Sequence, residues 1–159
     1  MVEAIRARDA EHGLARLVAG YAWEWRSKGP RNRDRYDIEH DGVRLRWNGT
    51  DTDWISAPGS AQEVGSIHTV QGYDLNYAGV IIGLDLRYDD GIVFDRASYF
   101  DKKGKENNPR LGIRYSDDDL LRYVRNIYAV LLTRGIRGTY VHVVDPQLRD
   151  HLRSFLSNE

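Results

Sequence analysis

Cysteine is absent from the 159 residues, which excludes disulfides, thiolate metal sites and cysteine nucleophiles. A reducing cytoplasm is thereby permitted, and a cytoplasmic location is the expectation. Charge of one sign is lacking too: 23 Lys+Arg stand against 24 Asp+Glu, so a nucleic-acid partner must be met by a local patch and not by a global field. No apolar run exceeds a few residues, and the opening MVEAIRARDAEHG is charged and helical in pattern. A signal peptide, a membrane span and a membrane partner are therefore not expected. There are only 4 Pro in the chain, and no internal repeat or low-complexity tract. What remains is 41% hydrophobic and 30% charged, the composition of one globular domain, residues 1–159, with a real core.

Residues Val2 to Glu11 favour a helix that Gly13 stops, and Leu14 to Tyr21 reads as a buried strand. The net basic loop from Ser27 to Arg35 leads into YDIEHDGVRLRWN, where Asp41-Gly42 suits a type I′ turn in an accessory hairpin. Thr50 to Gln62 reads as loop, and a second hairpin is expected around Asp89-Asp90-Gly91. DKKGKENNPR, Asp101 to Arg110, has no apolar anchor and reads as a surface loop. Ser116 caps a helix whose apolar positions Leu120, Val124, Ile127 and Leu131 recur at helical spacing. A strand at Thr139 to Val144 and a helix opened by Pro146 complete a layered α/β domain.

Two stretches carry more polar chemistry than connection requires. In SIHTVQGYDLNYAGVIIG, Ser66 to Gly83, the cluster His68-Thr69-Val70-Gln71-Gly72-Tyr73-Asp74 joins two apolar segments. A turn there could simply satisfy its own backbone. Alternatively it leaves a strand at its carboxyl end, where open α/β sheets bind ligands. In YAVLLTRG, Tyr128 to Gly135, an arginine closes an apolar helix; it complements the helix dipole, or offers a planar fork to a phosphate.

Taken together and in this order, IHTVQGYDLNYAGVIIG resembles motif V and YAVLLTRG resembles motif VI of superfamily 1 helicases. ARLVAGYAWEW, Ala15 to Trp25, is similar to the segment at the motif IV position. The chain thus resembles the second RecA-like domain of those helicases, most closely the Schlafen group 3-like DNA/RNA helicase domain of bacterial ATP-binding proteins, from about Ala15 to Arg149. The resemblance implies a RecA-like three-layer fold with a mainly parallel sheet and accessory β-hairpins. It implies that Arg134 is an arginine finger, that Gln71, Gly72 and Asp74 face the nucleotide, and that Arg16 lies near the phosphates. His68 and Thr69 would face single-stranded DNA or RNA. The implied cofactor is ATP with Mg²⁺.

Nothing matches G-x-x-x-x-G-K-S/T, the loop whose amides and lysine cradle phosphates. Gly104-Lys105 lacks the glycine pattern, and Asp117, Asp118 and Asp119 begin a helix. The chain reads as half of an ATPase, a fragment or a remnant, that needs an N-terminal P-loop RecA-like domain and does not turn over ATP alone. The alternative is a non-catalytic RecA-like module that binds nucleic acid or protein; a hydrolase using His68 and Asp74 lacks any accompanying nucleophile or metal set. The five histidines show no metal-ligand spacing, so no metal site is expected. Trp23, Trp25, Trp47 and Trp54 are candidates for base stacking or for core packing.

Overall fold

A computed structural model describes residues 1–156. Its centre is a six-stranded sheet in the order β2-β3-β4-β1-β5-β8. The strands are β1 (Ala15–Ala19), β2 (Ile38–His40), β3 (Val43–Trp47), β4 (Glu63–Gly65), β5 (Leu75–Ile82) and β8 (Gly135–Val143). All neighbours pair in parallel except β2 with β3. A separate antiparallel hairpin joins β6 (Leu86–Tyr88) to β7 (Ile92–Phe94).

Alternation along the central strands builds two cores, because successive side chains point to opposite faces. Val18, Ala78, Val80 and Ile82 face one core, closed by Val124, Ile127, Tyr128 and Leu131 of α3 (Asp117–Leu132) and Leu148 of α4 (Pro146–Leu156). Ala15, Leu17, Ala19 and Ile81 face the other, closed by Ile5 of α1 (Val2–His12) and by Ile38, Leu45 and Trp47. This is the three-layer α/β/α arrangement the sequence led us to expect.

The local signals in α3 act as read. Ser116 accepts from Asp119 N–H while the Asp119 carboxylate accepts from Ser116 N–H, a reciprocal capping box. Asp41 and Gly42 take φ of 49° and 76°, as a type I′ turn requires. The hairpin they close is more than an accessory, however: Arg46 and Trp47 pair with β4, so it forms one edge of the main sheet. Thr50 to Gln62 is also more than a loop. It contains two 3₁₀ turns, Trp54–Ser56 and Ser60–Gln62, and Trp54 is fully buried with its indole N–H on Glu63 Oε2 at 2.8 Å. Lys102–Lys105 forms α2, a single turn capped by Asp101. Strand β8 starts at Gly135, four residues before the expected Thr139, because Leu75 N–H donates to Arg134 O at 2.9 Å and begins the pairing at once.

One buried polar cluster ties α3 to the sheet. Tyr128 Oη donates to Asp85 Oδ1 at 2.7 Å and accepts the Gly83 N–H at 3.1 Å. A Cβ on Gly20 would lie 2.6 Å from the Tyr128 ring, so only glycine lets the helix approach β1 this closely. Burial pushes the Asp85 carboxyl from 3.8 up to about 7 and raises the Tyr128 hydroxyl well above its usual value.

Removing the hydroxyl in Tyr128→Phe leaves Asp85 and the Gly83 amide without their partner, and urea denaturation should register a loss of about 1–3 kcal/mol. Between pH 3.8 and about 7 the folded chain retains a proton on Asp85 that the unfolded chain releases, so this group makes stability fall as pH rises through that window and level off above it. Asp85→Asn should remove up to about 1.4 kcal/mol of that slope per pH unit, measured by denaturation at pH 4.5 and 7.

Candidate functional site

Arg134 is fixed through its backbone on both sides. Its N–H donates to Leu131 O at 3.2 Å, closing α3, and its carbonyl accepts from Leu75, opening β8. Just beyond, the register steps from Leu75↔Gly135 to Tyr77↔Gly138, a bulge that adds one residue to β8 and turns the strand at this point. The guanidinium is held far less firmly than the backbone. Nη1 reaches Tyr73 O at 3.4 Å and Asp74 Oδ1 at 3.7 Å, and Nε is buried without a hydrogen-bond partner among the described residues.

The structure therefore brings Asp74 beside Arg134, with Gln71 and Gly72 exposed in the same turn. Gly72 has φ +83°, a conformation that side-chain-bearing residues rarely adopt. This group does not lie at the carboxyl edge of the sheet, as the sequence had suggested. Leu75↔Gly135 marks the amino ends of β5 and β8, so Asp74 and Arg134 sit at the amino edge. The reason is that Ser66 to Asp74 returns across the sheet: Gly65 is level with Val18, and Val18 with Val80, about 16 Å along β5 from Leu75. Val70, fully buried, pins the return to the core.

His68 stays at the carboxyl edge, with its ring 5.8 Å from that of Tyr21. Thr69 does not offer a free hydroxyl: Oγ1 accepts from Ser66 N–H at 2.8 Å and donates to Ser66 O at 2.9 Å. From His68 a row of rings continues through Tyr21 to Trp47 at 5.7 Å and on to Trp25 at 6.4 Å, where Lys28 lies 5.1 Å from the Trp25 ring. Trp25, Lys28, Arg33, Arg46 and Trp47 line a cavity of about 720 Å³. Asp37 organises it, accepting from Ser27 N–H, Ser27 Oγ and Trp47 N–H. Of the tryptophans, Trp54 belongs to the core alone, whereas Trp25 and Trp47 edge this cavity. Tyr21 and Arg46 were not singled out from sequence, because nothing local signals that a ring after β1 and a cation on β3 share one wall.

Arg16 stands apart from both edges' exposed groups. It is buried, with Nη1 on Asp9 Oδ1 at 2.7 Å, Nε on Ser60 Oγ at 3.1 Å and Nη2 on Ile55 O at 2.9 Å. Its side chain ties α1 and the Trp54–Ser56 turn to β1. Arg16→Ala should cost about 3 kcal/mol of stability, because it removes the counter-charge of Asp9 and three hydrogen bonds at a buried site, leaving Asp9 only the Ala15 N–H and Ser60 Oγ only the Ile55 carbonyl; thermal and urea denaturation without any nucleotide would register it.

Comparison with known proteins places this arrangement. The uncharacterized protein YPL245W of Saccharomyces cerevisiae is 37% identical over 161 residues, which cover 96% of this chain and 34% of the yeast protein. The chain thus spans about a third of the length of the curated relative it matches. No solved structure shows a significant match. The family described as Schlafen group 3, DNA/RNA helicase domain matches residues 1–145. A mainly parallel sheet with an arginine anchored through its backbone at one edge and a ring-lined cavity at the other is the form that this chain gives to the Schlafen group 3 DNA/RNA helicase domain family, to which it belongs.

Proposed function

We infer that this domain is the C-terminal RecA-like half of a nucleic-acid-dependent NTPase or helicase. Its ATP site is completed by an N-terminal P-loop domain elsewhere in the same protein, which supplies the phosphate cradle and the Mg²⁺ ligands. The observation that carries the reading is the state of Arg134: a backbone locked into helix and strand, and a guanidinium that, among the described residues, makes long contacts to Tyr73 and Asp74 and leaves its buried Nε without a partner. A phosphate oxygen fits such a group, since charge-assisted bonds from a preorganised fork are among the strongest available. ATP with Mg²⁺ supplies the phosphoryl chemistry; Arg134 stabilises charge that develops on the transferred group. Gln71, Gly72 and Asp74 form the nucleotide-facing turn.

On the opposite edge, His68, Tyr21 and Trp25 with Lys28 suit a single strand, DNA or RNA, through stacking and phosphate contact, with the buried Trp47 ring packed against Tyr21 and Trp25. Thr69 acts there by shaping the turn through Ser66. The segment Ser66 to Asp74 touches both edges, so closure of the two halves on ATP would shift the grip on the strand. The same row of rings favours the alternative, a RecA-like module that binds single strands without catalysis.

The test is ATP hydrolysis by the full-length protein, with and without single-stranded DNA or RNA. Strand-stimulated hydrolysis that falls about a thousandfold or more in Arg134→Ala is expected. Full activity in that variant would overturn the finger assignment. Strand binding that salt weakens, with no hydrolysis in either protein, would establish the non-catalytic module instead.

A further inference from the structure

Strands β2 and β8 are the two edges of the sheet, and in a flat sheet they would lie about 24 Å apart. They nevertheless meet, for the His40 ring on β2 is 5.2 Å from the His142 ring on β8. The cause is the shape of the β2–β3 hairpin. Only Arg46 and Trp47 pair with β4, while Ile38 and Leu45 are buried in the core on the α1 face. The tip therefore bends over that face and delivers its turn to the far edge.

The residues that meet are His40, Asp41 and His142, and their nitrogen and carboxylate atoms all lie within 4.8 Å of one another. His40 Nε2 is buried and has no hydrogen-bond partner among the described residues, although Asp41 Oδ2 is only 3.2 Å away. A buried imidazole nitrogen close to a carboxylate, yet not bonded to it, lacks the partner its environment demands. Two donors on one tetrahedral ion with bonds near 2.1 Å stand about 3.4 Å apart, so small side-chain adjustments bring all three onto one centre.

We propose that His40, Asp41 and His142 form a binding site for a divalent first-row transition ion of the zinc class. Two imidazoles and a carboxylate select such ions over Mg²⁺ and Ca²⁺, which prefer oxygen ligands. The fourth position opens to a cleft of about 520 Å³ lined also by Glu3, Arg6 and Val43. His142 lies at the carboxyl end of β8, about 25 Å along the strand from Arg134, so the ion is separate from any nucleotide-bound Mg²⁺. Its effect is structural: it fastens the hairpin tip to β8 and holds the sheet's two edges together.

Calorimetric titration of the purified, metal-free chain with Zn²⁺ tests this directly. One equivalent should bind, Mg²⁺ should give no heat, and saturating Zn²⁺ should raise the melting temperature. His40→Ala and His142→Ala should each weaken Zn²⁺ binding by at least about 100-fold, more than the loss of an outer-shell partner, and cancel the thermal shift. His142→Gln, which keeps size and polarity, serves if the alanine variants misfold, as circular dichroism would reveal; it should lose binding in the same way. Co²⁺ in place of Zn²⁺ should give visible absorption in the wild type alone. Absence of Zn²⁺ binding, or binding that survives both histidine changes, would reduce the cluster to a polar contact and overturn the site.

Discussion

One main-chain hydrogen bond, from Leu75 N–H to Arg134 O at 2.9 Å, is what the rest of the arrangement depends on. It starts the pairing of β5 with β8, and so sets the register that carries Tyr77 opposite Gly138 and Ile82 opposite Val143. A slip of one residue would turn Val80 and Ile82 out of the α3 face and Ile81 into it, exchanging the two cores. The same bond places the residue before β5, Asp74, beside the residue before β8, Arg134. Core and candidate site are thus consequences of one registration, and neither can shift without the other.

The domain's two edges differ in what they hold rigid. At the amino edge the backbone is over-determined and the charged end of Arg134 is loose. At the carboxyl edge Asp37 gathers two amides and a hydroxyl, fixing the wall on which the rings of Trp25 and Trp47 stand. With a formal net charge of −1, the chain has no long-range field to gather a polyanion, so any strand must be held by short-range stacking and by the few cations beside the rings.

Much of this was legible in the sequence wherever a signal is local. Ser116 with Asp119, Asp41 with Gly42, and the spacing from Leu120 to Leu131 each specify backbone geometry within a few residues, and each forms as read. The pairing of Asp74 with Arg134 was reachable only through the order of two motifs, since residues 60 apart carry no local signal of contact. The placement at the carboxyl edge failed for a physical reason: it assumed that the polar segment ends where its strand ends, whereas Val70 draws the chain back across the sheet. Arg16 looked available because a sequence shows an arginine's charge and not its partners. His40 and His142, 102 positions apart, meet only because a hairpin bends out of its own sheet, which no spacing rule encodes.

That bend also bears on how the domain could move. The apolar face of α1 offers one buried residue, Ile5, too little to cover β1, β5 and β4 by itself. Ile38 and Leu45 from the hairpin complete that core, so the hairpin cannot lift without exposing it. The α3 face, by contrast, is covered by four buried residues of one helix, Val124, Ile127, Tyr128 and Leu131, and Tyr128 bolts that helix to Gly83 and Asp85. Motion that repositions Arg134 must therefore carry α3, β5 and β8 as one body, and the adjustable part is the guanidinium itself. The backbone mount thus fixes where the Arg134 side chain starts, while its long contacts to Tyr73 and Asp74 leave the guanidinium free to reorient about that point.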